Sequence, residues 1–183
     1  MDIRNFVTNL QQVYQEIESE FSGFQLKTGI TCPSGCGKCC LNPEIEATML
    51  EMLPMALEIY DSGEAQVYLE KLENHLDQSC LVLRDSSRCD FYRSRPAICR
   101  MFGVAGYHLK NSSKTLSVCK ELKPGNSDLF NQKDFIQSAP EFSQGSAKLL
   151  ALDMGLISPK YKINHALKLA LEKVLLYAQY NKV

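Results

Sequence analysis

Cys32-Pro33-Ser34-Gly35-Cys36-Gly37-Lys38-Cys39-Cys40 holds four of the chain's eight cysteines. The others follow as Cys80, Cys89, Cys99 and Cys119, so every cysteine lies between residues 32 and 119. Thiolates crowded in this way usually share an electrophile, and a metal ion or an iron–sulfur cluster is the expected one. Pro33, Gly35 and Gly37 mark the stretch as a loop, and glycine permits the backbone angles that let ligand side chains converge. The Cys36-x-x-Cys39 gap lets two thiolates meet one ion from a turn. Adjacent Cys39 and Cys40 cannot easily point at one centre. They are expected to serve as two ligands of a multinuclear centre or one ligand in each of two sites. Eight thiols match two four-thiolate sites. Ligation by sulfur alone suits zinc, iron–sulfur clusters or Cu(I), and disfavours magnesium and calcium.

The chain of 183 residues, 45% of them hydrophobic, reads as a single domain spanning 1–183 with an ordinary core. A Cys-rich metal-binding region occupies 30–120 and a helical C-terminal part 126–183. Such a chain does not depend on disulfides to compensate for a small core. No basic segment followed by an unbroken apolar run opens it, and no stretch is long enough to cross a bilayer. A cytoplasmic location is expected, where thiols stay reduced. The net charge of -1 gives no global field for nucleic acid or a membrane surface.

Five of the six arginines, Arg84, Arg88, Arg93, Arg95 and Arg100, bracket Cys89 and Cys99. They read as a solvated face, as compensation for thiolate charge, or as a dock for an anionic partner. Helical periodicity covers 2–22, resumes near Pro43 until Pro54 breaks or kinks it, and returns at 63–78, 127–138, 142–154 and 159–180. Short hairpins fit 80–92, with Asp85-Ser86-Ser87 as the turn, and 104–119, with Lys110 to Lys114 as the turn. Between them Arg95-Pro96 starts a helical turn carrying Cys99, Arg100 and Phe102. The expected fold is mainly α: a helical domain with a Cys-rich insert containing one or two short β-hairpins. The apolar face of the last helix belongs to the core or to contact with a second copy.

Other residues compete for the metal. His75, His108 and His165 have no partner at ligand spacing. Met49, Met52 and Met55 read as core filler. Glu44, Glu46 and Asp90 lie close in sequence to cysteines and read as helix-terminus carboxylates or as hard ligands for iron. Cys32-x3-Cys36-x2-Cys39 shares the spacing of radical S-adenosylmethionine enzymes. The helical segment before it and Lys38 ahead of the third cysteine speak against that reading. A thioredoxin-like role lacks a surrounding βαβ pattern.

Cys32-x3-Cys36-x2-Cys39-Cys40, followed by Cys89-Asp-Phe-Tyr92-Arg93-Ser-Arg95-Pro96-Ala-Ile-Cys99-Arg100-Met-Phe102, resembles the CxxCxxCC (YkgJ-like) family of zinc- or iron-chelating, iron–sulfur-containing proteins. The extra residue between Cys32 and Cys36 departs from the family's written pattern. The resemblance implies metal or cluster binding and no particular reaction. Tyr92, Arg93, Arg95, Pro96 and Arg100 then look like groups that support the ligands. The expected ligands are Cys32, Cys36, Cys39, Cys40, Cys80, Cys89, Cys99 and Cys119, and the expected cofactor is zinc or an iron–sulfur cluster. A metal-binding protein is the leading reading. A cluster-dependent redox or protein-modifying enzyme, or an adaptor that binds a protein partner through its helices, stands beside it.

Overall fold

The structure, a computed structural model, describes residues 2–84, 88–101, 105–110, 113–124, 126–157 and 159–181. Helix α1 (Ile3–Thr28) is the spine. The Asp2 carboxylate caps it, accepting from the backbone N–H groups of Arg4 and Asn5 at 3.0 and 3.2 Å. Gly29 ends it with φ 70°, and its N–H returns to the Gln25 carbonyl. Its apolar residues recur every three or four positions, and Leu10, Tyr14 and Ile17 have no exposed surface. The helix extends six residues beyond the expected end at 22, because Phe24 continues the buried stripe.

The expected helix from Pro43 is not formed. A turn leads into strand β1 (Glu46–Thr48), then a 3₁₀ turn (Leu50–Met52) feeds α2 (Leu53–Asp61). Thr48-x-x-Glu51 is a capping box. The Glu51 N–H donates to the Thr48 hydroxyl at 3.2 Å, while the Thr48 N–H and hydroxyl donate to the Glu51 carboxylate at 3.0 and 3.1 Å. Pro54 therefore sits in the first turn of α2, where its missing N–H costs nothing, and does not break a helix. Met52 and Met55 are core residues, as expected.

Helix α3 (Ala65–Glu73) is shorter than expected. The first expected hairpin is reduced to one antiparallel bridge, Leu83 to Cys89, with its turn outside the described residues. Helix α4 (Ala97–Met101) carries Cys99 as expected, and Phe102 lies outside the described residues. The second hairpin is β2 (Ala105–Lys110) paired antiparallel with β3 (Ser113–Val118), Lys110 facing Ser113. Of the turn expected from Lys110 to Lys114, Lys110, Ser113 and Lys114 belong to the strands, and 111–112 lie outside the described residues. The helix expected over 127–138 is split into α5 (Ser127–Phe130) and α6 (Lys133–Ser138). Helix α7 (Phe142–Leu152) follows. The expected helix from 159 begins as strand β4 (Lys160–Lys162), which pairs with β1, and continues as α8 (Ile163–Asn181). That pairing joins residues over a hundred positions apart, which local periodicity cannot reveal.

The mainly helical class with short hairpins is as the sequence implies. Helix α8 packs on α2 and α3, so its apolar face is core. Two apolar clusters result. The larger joins α1, α2, α3, α8 and α4, with Cys80, Cys89 and Cys99 packed against it. The smaller joins Phe24, Ile30, Ala105, Leu122, Phe135 and Ala139, with Cys119 against it. The cysteine loop runs between them.

Thr48→Ala is expected to lower stability by about 1–2 kcal/mol, since it removes the hydroxyl that caps the Glu51 N–H and donates to the buried carboxylate; urea unfolding reads the loss. Burial raises the Glu51 pKa from its ordinary value of 4.5. A raised native pKa makes stability fall as pH rises from 4.5 toward the shifted value. Glu51→Gln is expected to flatten that part of the pH–stability curve.

Candidate metal centre

The site begins with a turn that its own residues dictate. Gly35 has φ 73° between Pro33 and Cys36, and the Cys36 N–H closes the turn on the Pro33 carbonyl at 3.0 Å. A positive φ at the third turn residue is a glycine position. A 3₁₀ turn (Lys38–Leu41) then presents Cys39 and Cys40. Backbone and ion-pair links hold this loop to distant cysteines. The Cys80 N–H donates to the Cys40 carbonyl at 2.9 Å. Lys38 pairs with Glu121 at 2.6 Å, two residues beyond Cys119.

The segments bearing Cys80 and Cys99 are fixed by buried polar groups. Asn164 of α8, 1% exposed, accepts from the Leu81 N–H at 2.9 Å. It donates to the carbonyls of His75 and Ser79 at 2.8 and 2.9 Å. Its role was missed in the sequence, where the only signal is an asparagine inside the apolar face of the last helix. On the other side Arg100 donates to the carbonyls of Arg93 and Arg95 and to Glu18 of α1. It also lies over the Tyr14 ring, 4.8 Å from the centroid. Arg95 pairs with the same Glu18 at 3.2 Å and stacks on Tyr92 at 3.8 Å. Glu18 is thus the shared carboxylate partner of Arg95 and Arg100. Arg84, which pairs with Asp90, is exposed, as are Arg88 and Arg93, so these three fit the solvated-face reading, while Arg95 and Arg100 are turned inward.

All eight cysteines are free and half-buried. Cys32 donates to Cys36 and feels Cys119 and Cys39; burial, then Cys36, pushes its thiol up to about 11. Cys40 lies against Cys39 and feels Cys80 and Cys99. Its hydrogen bond to Cys39 raises it, and the same bond lowers Cys39 to about 6, helped by backbone N–H groups and Arg95. Burial pushes Cys80 up to about 11 and raises Cys89 and Cys99, and each of the three feels Cys39. The thiols therefore form two electrostatic neighbourhoods that meet at Cys39. Burial is the main cause that favours the protonated form of Cys32, Cys80, Cys89 and Cys99, and neighbouring sulfurs, which repel as thiolates, add to it.

Among the described residues, no three of these side chains already stand as a metal site. The donor set nonetheless fits a thiophilic centre: sulfur only, with no disulfide formed. The buried Arg95 Nε has no hydrogen-bond partner, and its guanidinium acts on Cys39, Cys89 and Cys99. An unpartnered donor beside sulfurs fits a group that would gain from sulfur lone pairs carrying charge. His75 contacts the Ser79 carbonyl, His165 packs on Tyr161, and His108 is stacked on Phe142. Glu44 is paired with Lys162.

The family model described as "Putative zinc- or iron-chelating domain", CxxCxxCC, matches residues 31–125. The chain belongs to the CxxCxxCC family. That match contains every cysteine and both arginines clamped by Glu18, and it ends before α5. It supports metal binding as the coarse function. No curated protein and no solved structure matches the chain. Among the described residues no helix is long and apolar enough to cross a membrane.

Asn164→Leu is expected to cost about 2–4 kcal/mol, because it removes the four hydrogen bonds Asn164 makes around Cys80 and leaves the Leu81 N–H without its partner. The same change should loosen the 75–81 segment, seen as faster amide exchange there than in α1.

Proposed function

We propose that the protein holds zinc or an iron–sulfur cluster through Cys32, Cys36, Cys39, Cys40, Cys80, Cys89, Cys99 and Cys119. The observation carrying this reading is the meeting of the two thiol neighbourhoods at Cys39. Cys32, Cys36 and Cys119 make up one set with Cys39, and Cys40, Cys80, Cys89 and Cys99 the other, with Cys39 adjoining both. Zinc would crosslink the loops, whereas a cluster would supply one-electron chemistry. Arg95 would offset thiolate charge and donate to sulfur. The role is that of a chelator in storage, delivery or redox sensing, within one domain and in the cytoplasm.

A second reading, a cluster-dependent redox or protein-modifying enzyme, is favoured by one observation: a cavity reaches Cys119. It would place a second molecule beside the thiols.

Anaerobic purification, followed by the visible spectrum and by iron, sulfide and zinc analysis, tests the proposal. A brown protein with iron and sulfide, or a colourless one with stoichiometric zinc, is expected. A protein that takes up neither from the metal salts or by cluster reconstitution overturns it. Cys80→Ser and Cys119→Ser are each expected to lose part of the bound metal, and Cys39→Ser to lose the most. His108→Ala is expected to keep it all. Equal metal in all four variants would remove the cysteines from the site.

A further inference from the structure

The two sets of thiols are held by very different means. Cys80, Cys89 and Cys99 pack against the larger apolar cluster. Near Cys80 the buried Asn164 side chain takes the Leu81 N–H and bonds the carbonyls of His75, Gln78 and Ser79. Cys89 is bridged to Leu83, and the Asp90 N–H donates to the Val82 carbonyl at 3.0 Å. Cys99 sits in α4 beside Arg100, which is 7% exposed and bound to Glu18. Cys40 joins this set through its carbonyl, which accepts from the Cys80 N–H at 2.9 Å. Protein contacts alone therefore fix the backbone of these four segments.

The other set has weaker anchors. Cys32 and Cys36 flank the turn at Gly35, which the Cys36 N–H closes on the Pro33 carbonyl. Among the described residues, neither belongs to an apolar cluster. Cys119 stands against the smaller cluster, and the Lys38–Glu121 pair ties its segment to the cysteine loop. Lys38 is 65% exposed, and an ion pair in water contributes little. Cys119 also lines a cavity of about 640 Å³ between α7 and the β1–β4 pair, which gives a small ligand a route to its sulfur. Anchorage of this kind decides exchange. Ligands already in place lose little freedom on binding and re-form a broken bond quickly, so release from them is slow. Ligands on a loose turn separate once one bond is broken, and an incoming chelator can then complete the removal.

Resting on the metal binding proposed above, we infer that the eight thiols form two sites of unequal lability. Cys40, Cys80, Cys89 and Cys99 make up a retaining site, and Cys32, Cys36, Cys39 and Cys119 an exchanging site open to small chelating ligands. The neighbours Cys39 and Cys40 are the boundary between the two. The retaining site staples the fold, and the exchanging site gives and takes metal.

The test uses the full chain, stripped of metal and reloaded with zinc without oxygen, and the chromogenic chelator pyridylazoresorcinol in excess. Two zinc ions per chain are expected, released in two phases of equal size whose rates differ by at least about tenfold. Cys36→Ser is expected to abolish the fast phase and keep the slow one, and Cys80→Ser to abolish the slow one. Asn164→Ala, which loosens the backbone at Cys80 without touching a thiol, is expected to speed the slow phase by roughly tenfold and leave the fast phase unchanged. Fewer than two zinc ions, a single phase, an unchanged slow phase in Asn164→Ala, or loss of the slow phase in Cys36→Ser overturns the proposal. Should Cys80→Ser or Asn164→Ala fold poorly, the unaltered chain and Cys36→Ser still decide. A chain that takes up neither zinc nor a cluster overturns metal binding itself, whereas full zinc uptake with one phase overturns only the two unequal sites.

Discussion

Glu18 holds two guanidinium groups at once, and the cysteine-bearing half of the molecule depends on that grip. Arg95 and Arg100 both reach it from the segment that carries Cys99, and Arg100 also bonds two carbonyls of its own loop. A buried cation with a single carboxylate partner is an expensive arrangement unless its remaining donors are used. Arg100 uses them on backbone. Arg95 leaves Nε free and turns its charge toward the thiols. The same pair of arginines thus docks α4 on α1 and supplies positive charge beside sulfur.

The rest of the centre follows from two apolar cores that share α1. One carries Cys80, Cys89 and Cys99 at its margin, and the other carries Cys119. The loop of Cys32 to Cys40 leaves the end of α1 and passes between them. Asn164 and the Lys38–Glu121 pair pin the two sides. The result is a set of half-buried thiols in which burial first, and neighbouring sulfur second, favours the protonated form. Chelation and folding of these loops are then linked, because a metal would cancel the repulsion that the scaffold tolerates.

Much of this was legible residue by residue. Cysteine spacing, the turn at Gly35 and the helix bearing Cys99 each depend on near neighbours in sequence. Pro54 and Thr48-x-x-Glu51 were legible in principle as a helix start, yet the apolar periodicity across 45–53 pointed to a longer helix. That periodicity arises because a buried strand and a 3₁₀ turn also bury residues at mixed spacing. Asn164 was invisible because an asparagine within an apolar helix face says nothing about which loop it serves. Glu18 was equally hidden, as one of several acidic residues on the long first helix.

The sequence alone determined the donor chemistry: eight sulfurs, loops able to turn them, arginines beside them and helices enough to enclose a core. Those properties reside in side-chain type and local backbone freedom. The tertiary structure alone decided which thiols are neighbours, which carboxylate serves the arginines, and that a strand near residue 47 pairs with one near 161 to flank a cavity. Such pairings depend on how distant apolar faces exclude water together, and no short stretch of chain carries that information.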